Sequence, residues 1–184
     1  MTAAGRGTGA YRAAFGVAEA AGMMEIWSEL GHATATPFPV LAARFVLAAA
    51  CGAAIGFERE WRNRPAGLRT HILVCLAAAA FAVLALEMIN QPMFDREGVH
   101  LDPIRIVEAV TSGVAFLAAG VVIVARGEIH GLTTGAGLWL AGAIGVAAGL
   151  GLWQIALFAT LVALLVLGLL HALSRRIETK RDAD

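Results

Sequence analysis

Residues 134–173 read TGAGLWLAGAIGVAAGLGLWQIALFATLVALLVLGLLHAL, forty positions without a Lys, Arg, Asp or Glu. As a single helix the stretch would run ~60 Å, twice the ~30 Å hydrocarbon core of a bilayer. Gly149 and Gly151 mark a break. The stretch is therefore expected to form a tight hairpin of two helices, about Thr134–Leu150 and Trp153–Leu173, joined at a Gly151-Leu152 corner. Three further apolar runs lie upstream. Val40–Phe57 is interrupted by Arg44, His71–Ile89 carries Glu87 near its end, and Ile104–Val124 carries Arg105 and Glu108. Each approaches the ~20 apolar residues a crossing helix needs. The expectation is an all-α polytopic membrane protein with five transmembrane helices.

Composition agrees. Of 184 residues, 59% are hydrophobic and 15% charged, with 14 basic and 14 acidic side chains in balance. That excludes a disordered chain and departs from soluble globular usage. Zero net charge gives no reason to expect nucleic acid. Cys51 and Cys75 lie in separate apolar runs, which reads as two small buried residues rather than a disulfide framework or zinc site.

Short-loop arginines set the expected sidedness. Arg59, Arg62, Arg64, Arg69, Arg126, Arg175, Arg176, Lys180 and Arg181 fall on one side, against Arg6, Arg12 and Arg96 on the other. The C-terminus is expected to be cytoplasmic and the N-terminus outside. Residues 1–36 do not read as a span, because Glu19, Glu25 and Glu29 interrupt them. Phe15, Ala18, Gly22, Ile26 and Leu30 share a face, the pattern of an interfacial amphipathic helix. The transmembrane domain is placed at 37–173, with 174–184 a short cytoplasmic tail.

Small residues let membrane helices approach. Gly137, Ala141, Gly145 and Gly149 recur every four positions in the fourth span, as do Ala48, Gly52 and Gly56 in the first. The third offers Ala115 and Ala119, with Gly113 and Gly120 on an adjoining face. These three helices are expected to form the core, with the Leu-rich fifth facing lipid.

Two charge clusters stand out. Arg44, Glu87, Asp102, Arg105 and Glu108 lie toward the expected outer side. Ionisable groups within spans usually face protein or water and find a partner. Arg44 is expected to pair with Glu108 or Glu87, and Arg105 with Asp102 or Glu87. The alternatives are an outward-facing polar cavity and snorkelling to the interface. On the inner side Glu58, Arg59, Arg69, Thr70 and His71 gather around one short loop. Arg126, Thr133 and Thr134, with Gly127 and Gly131, come from a second loop on that side. Thr70 is a suitable helix cap. The cluster reads either as a helix-terminus salt-bridge network or as an anion or partner site using the arginine fork.

The stretches Gly56-Phe57-Glu58-Arg59, Ala66-Gly67-Leu68-Arg69-Thr70, Asp102-Pro103, Arg105-Ile106, Ser112–Val121, Gly131–Ala136 and Leu138-Trp139 together resemble the MgtC/SapB family of bacterial inner-membrane proteins. The resemblance covers about residues 40–172. It implies a polytopic helical domain linked to magnesium limitation and, in pathogens, to survival inside macrophages. The chain departs from the family pattern at Ala115 and Ala118, where glycines are usual. It departs also at Ala109, commonly glutamine, and at Glu108, which replaces a small residue. Larger members carry a soluble C-terminal domain, and the expectation here is the membrane domain without it, followed by the short tail 174–184.

The functional expectation is a non-enzymatic inner-membrane protein that binds the bilayer and either a second copy or another membrane protein. The alternative is a small transporter or channel for a cation such as magnesium or another small solute. Glu87, Asp102 and Glu108 supply carboxylates of the kind magnesium takes, but Arg44 and Arg105 would neutralise them. No clear ligand set supports bound magnesium, and no other cofactor is implied. Ser112, Cys51 and His71 lack nucleophile–base spacing.

Overall fold

The computed structural model describes residues 34–90, 102–125 and 128–181. Five helices follow in order: α1 (Phe38–Trp61), α2 (Leu68–Ile89), α3 (Pro103–Ala119), α4 (Leu132–Gly149) and α5 (Trp153–Arg181). Between α3 and α4 lies a small antiparallel hairpin, β1 (Ile123–Ala125) and β2 (Glu128–His130), with Val124 opposite Ile129. By length and composition α1, α2 and α4 are each long and apolar enough to cross a membrane, and the 153–168 part of α5 is a shorter apolar helix. The amphipathic segment expected in residues 1–36 lies almost wholly outside the described residues, as do Arg96 and Arg126.

The hairpin corrects the reading of the third span, which was expected to continue to Val124. The helix ends at Ala119, the chain turns at Gly120-Val121, and Ile123–Ala125 are extended. Four consecutive β-branched side chains after Gly120 favour that choice. The chain re-enters a helix through Gly131, whose φ of +90° is left-handed. A Cβ there would also collide with the Val121 carbonyl, so both backbone conformation and space demand glycine.

The core sits where α1, α2 and α4 meet, and α4 touches every other helix. Small residues set the spacing. A Cβ on Gly52 would lie 2.7 Å from the His71 carbonyl oxygen, and one on Gly56 2.7 Å from Leu68 Cα, so α1 rests against the backbone of α2. From the other side, a Cβ on Gly149 would lie 2.5 Å from the Ala79 carbonyl oxygen, and one on Gly145 would run into Cys75. Ala78, Ala79, Ala82 and Ala85 keep α2 slim enough to lie between its neighbours. Cys51 and Cys75 are buried free thiols, and the Cys75 Sγ–H donates to the Ala141 carbonyl at 3.1 Å.

The expected core trio therefore needs correcting: α2 takes the place assigned to α3. The third span's glycines are not in the packed seam. Around Gly113 nothing lies within 4 Å of where a Cβ would stand, and Gly120 meets only carbonyls of its own last turn. Instead α3 leans on α4 through Val110, Val114 and Ala118, with Val114 against Gly142 and Ala118 over Gly135. The α5 helix is exposed along Leu157, Phe158, Leu161 and Leu165 but buries Ala156, Thr160 and Ala163. Its Thr160 hydroxyl is satisfied by the Ala156 carbonyl one turn back at 2.7 Å.

Candidate functional site

Charged side chains gather at the two ends of this bundle. At the end closed by the α1–α2 loop, Glu58 and Arg59 occupy the last turn of α1 and His71 the first turn of α2. Arg59 turns inward and is only 4% exposed. Its Nη2–H donates to the Thr134 hydroxyl of α4 at 2.8 Å, which ties α1 to the start of α4. His71 is fully buried, with Nδ1 2.9 Å from the Gly67 carbonyl. A carbonyl only accepts, so Nδ1 carries a proton. Nε2 faces Gly137, where a Cβ would stand 3.5 Å away.

Glu58 pairs with Arg62 one turn on, Oε1 to Nε at 2.5 Å, without the geometry of a hydrogen bond. Arg59 Nε, Arg62 Nη1, His71 Nε2 and both Glu58 oxygens are buried without a hydrogen-bonding partner among the described residues. A buried polar atom left without any partner costs roughly 1–3 kcal/mol, whereas Glu58 keeps its ion pair with Arg62.

Thr70 does not cap α2. It is the third residue of that helix, which begins after Gly67. The cap comes from across the loop: the Glu60 carboxylate accepts from the Leu68 N–H at 2.7 Å. A carboxylate there also complements the positive end of the helix. Sequence reading assigned Glu60 no capping role, although an acidic residue ahead of Pro65-Ala66-Gly67 was the available signal. Arg69 and Thr133 are exposed and are not drawn into the cluster. Arg69 and Thr70 instead stand at one end of a groove of about 740 Å3 between α2 and α3.

At the opposite end the expected ion pairs are replaced by backbone contacts. Arg44 Nη1–H donates to the Gly149 carbonyl in the last turn of α4 at 3.0 Å. Its guanidinium packs on Gly151, where φ is +81° and a Cβ would come within 3.0 Å of Nη2. Terminal carbonyls of a helix lack intrahelical partners and carry partial negative charge, so Arg44 finds its acceptor without a carboxylate. Glu87 accepts the N–H groups of Ala35 at 2.6 Å and Thr36 at 3.0 Å. The Arg44 charge acts on Glu87 from beyond ion-pair distance. The Asp102 carboxylate caps α3 by accepting from the Ile104 N–H at 3.0 Å, and does not hold Arg105.

Arg105 and Glu108 are thus exposed on α3 with no ion pair among the described residues. With Ser112, Ala115 and Ala119 they recur at helical spacing on one exposed face. No group of three or more His, Cys, Asp or Glu side chains able to hold a metal ion occurs among the described residues. The two carboxylates of this end that are engaged, Glu87 and Asp102, both serve backbone N–H groups. Their donor geometry suits helix ends rather than magnesium, which demands octahedral oxygen ligands.

The chain has relatives among curated proteins. It is 40% identical over 138 residues to YhiD of Escherichia coli (strain K12), named as a candidate magnesium transporter, covering 74% of this chain and 63% of that one. It is 36% identical over 153 residues to protein MgtC of Brucella abortus (strain 2308), covering 83% and 57%. Identity to protein MgtC of Salmonella typhimurium (strain LT2) is 42% over 126 residues, covering 68% and 50%. In these alignments the chain spans 50–63% of its relatives' length. No solved structure matches it. The model of the MgtC family matches residues 45–176, which include Arg59, His71, Glu108 and Thr134, and this helical membrane protein belongs to the MgtC family.

Proposed function

We propose that the chain is a non-enzymatic inner-membrane protein that serves magnesium homeostasis by docking another membrane protein, rather than by conducting the ion. In this reading it crosses the bilayer five times, with its N-terminus outside and its arginine-rich loop and C-terminus cytoplasmic, as the arginine bias favours. Two of its relatives carry the name MgtC and one is named for magnesium transport, which supports the link to that ion.

The observation that carries the docking role is the exposed face of α3. Arg105 and Glu108 stand on it beside Ser112, with no ion pair among the described residues. An ionisable side chain in a span costs a few kcal/mol unless it meets protein or water, and a partner helix carrying complementary charge removes that cost. The interior favours the same role, because α1, α2 and α4 meet at backbone contact along Gly52, Gly56, Gly145 and Gly149.

The test pairs two measurements on the full chain. Magnesium flux into proteoliposomes should equal that of protein-free vesicles, and a partner cross-linked in native membranes should be lost in Glu108→Gln and Arg105→Gln. Flux above the vesicle background that Glu108→Gln abolishes would establish transport instead.

A further inference from the structure

The α2–α3 groove lies on a different face of α3 from the charged one. Leu73, Ala77 and Phe81 of α2 and Val110, Gly113 and Leu117 of α3 line it, and its walls are almost wholly apolar. Polarity enters at one end, where Arg69 and Thr70 stand. Arg69 has no carboxylate within ion-pair distance among the described residues. Glu60, across the loop, is held by the Leu68 N–H, and Glu58 is paired with Arg62. Arg69 itself is exposed and makes no ion pair among the described residues.

A long apolar trough ending in a guanidinium with no ion pair among the described residues and in a hydroxyl is complementary to an amphiphile with an anionic head. From these contacts we infer that the groove binds an acidic phospholipid, its phosphate on Arg69 and Thr70 and one acyl chain along the trough. The dimensions suit it. From Arg69 to Phe81 the helix rises ~18 Å, close to the ~15 Å depth of one leaflet. A guanidinium holds a phosphate through two parallel N–H donors. Gly113 keeps the wall open, since nothing approaches within 4 Å of its Cβ position. The site uses neither Arg105 nor Glu108, so it stands or falls separately from the docking role.

The experiment is native mass spectrometry of the detergent-purified full chain titrated with phosphatidylglycerol, with phosphatidylcholine and with inorganic phosphate. Phosphatidylglycerol should be retained about fivefold better than phosphatidylcholine, the fold-change equivalent of the ~1 kcal/mol a basic residue contributes beside anionic headgroups. Arg69→Gln should remove the preference for phosphatidylglycerol over phosphatidylcholine. Gly113→Leu, which fills the trough from an exposed position, should reduce retention of both lipids at unchanged helicity. Equal retention of the two lipids in the unmodified chain would overturn the assignment. So would a preference that survives Arg69→Gln, retention unaltered by Gly113→Leu, or displacement of the lipid by inorganic phosphate at equal concentration.

Discussion

The helices α2 and α3 are both apolar, both neighbours of α4, and treat their small residues in opposite ways. In α2, Cys75, Ala78, Ala79 and Ala82 lie against Gly145 and Gly149 of α4, and the backbone at Leu68 and His71 against Gly56 and Gly52 of α1. In α3, Gly113 stands open and Arg105 and Glu108 lie exposed. The lesson is that a small residue acts in packing only when a partner backbone is close enough to exclude a Cβ. Glycine in a span otherwise marks a surface still to be covered, and a charge beside it says by what sort of partner.

The contrast can be attacked residue by residue. Gly145→Leu should have the largest effect, because its new side chain meets Cys75 and, 2.8 Å away, Ala78 Cβ with no room to relax. A loss of about 3 kcal/mol or more is expected, read as failure of a fluorescent fusion to survive mild heating in detergent. Thr134→Val should come next. It keeps the shape of the side chain but strands Arg59 Nη2 in a buried place, costing about 2 kcal/mol and visible as a lower unfolding midpoint in the same assay.

Arg44→Met should be milder. It removes the donor to the Gly149 carbonyl, and a cation at a partly buried helix C-terminus contributes up to ~2 kcal/mol. Hydrogen exchange should quicken in the last turn of α4 while the α1–α2 contact near Gly52 keeps its protection. Gly113→Leu should be the smallest, within ~0.5 kcal/mol and of either sign, since a leucine there meets open space and favours helix. A large loss of stability from that substitution would mean that α3 is packed in the membrane after all.

Much of the architecture was legible in the sequence. The break at Gly149 and Gly151, the small-residue rows in the first and fourth helices and the burial of both cysteines follow from pattern alone. The role of α2 was not legible, because its alanines carry less signal than glycines although they allow nearly the same approach. The early end of α3 was hidden by the apolar character of Val121–Val124, which suits a span and an extended strand alike. The gathering of Glu58, Arg59, His71 and Thr134 at one end was readable from loop positions, yet their individual partners were not. Arg44, Glu60, Glu87 and Asp102 all bond to backbone groups. Sequence pairing rules match charge to charge and do not see backbone partners, whose positions exist only once the helices have ended.

The docking role is tested most directly by a photo-reactive side chain placed at Ser112 on α3, compared with one at Leu161 on the exposed side of α5, in native membranes. The account predicts a discrete protein adduct from Ser112 that disappears when Glu108→Gln is added, and lipid adducts alone from Leu161. Lipid adducts alone from both positions, or a Ser112 adduct indifferent to Glu108→Gln, would contradict it.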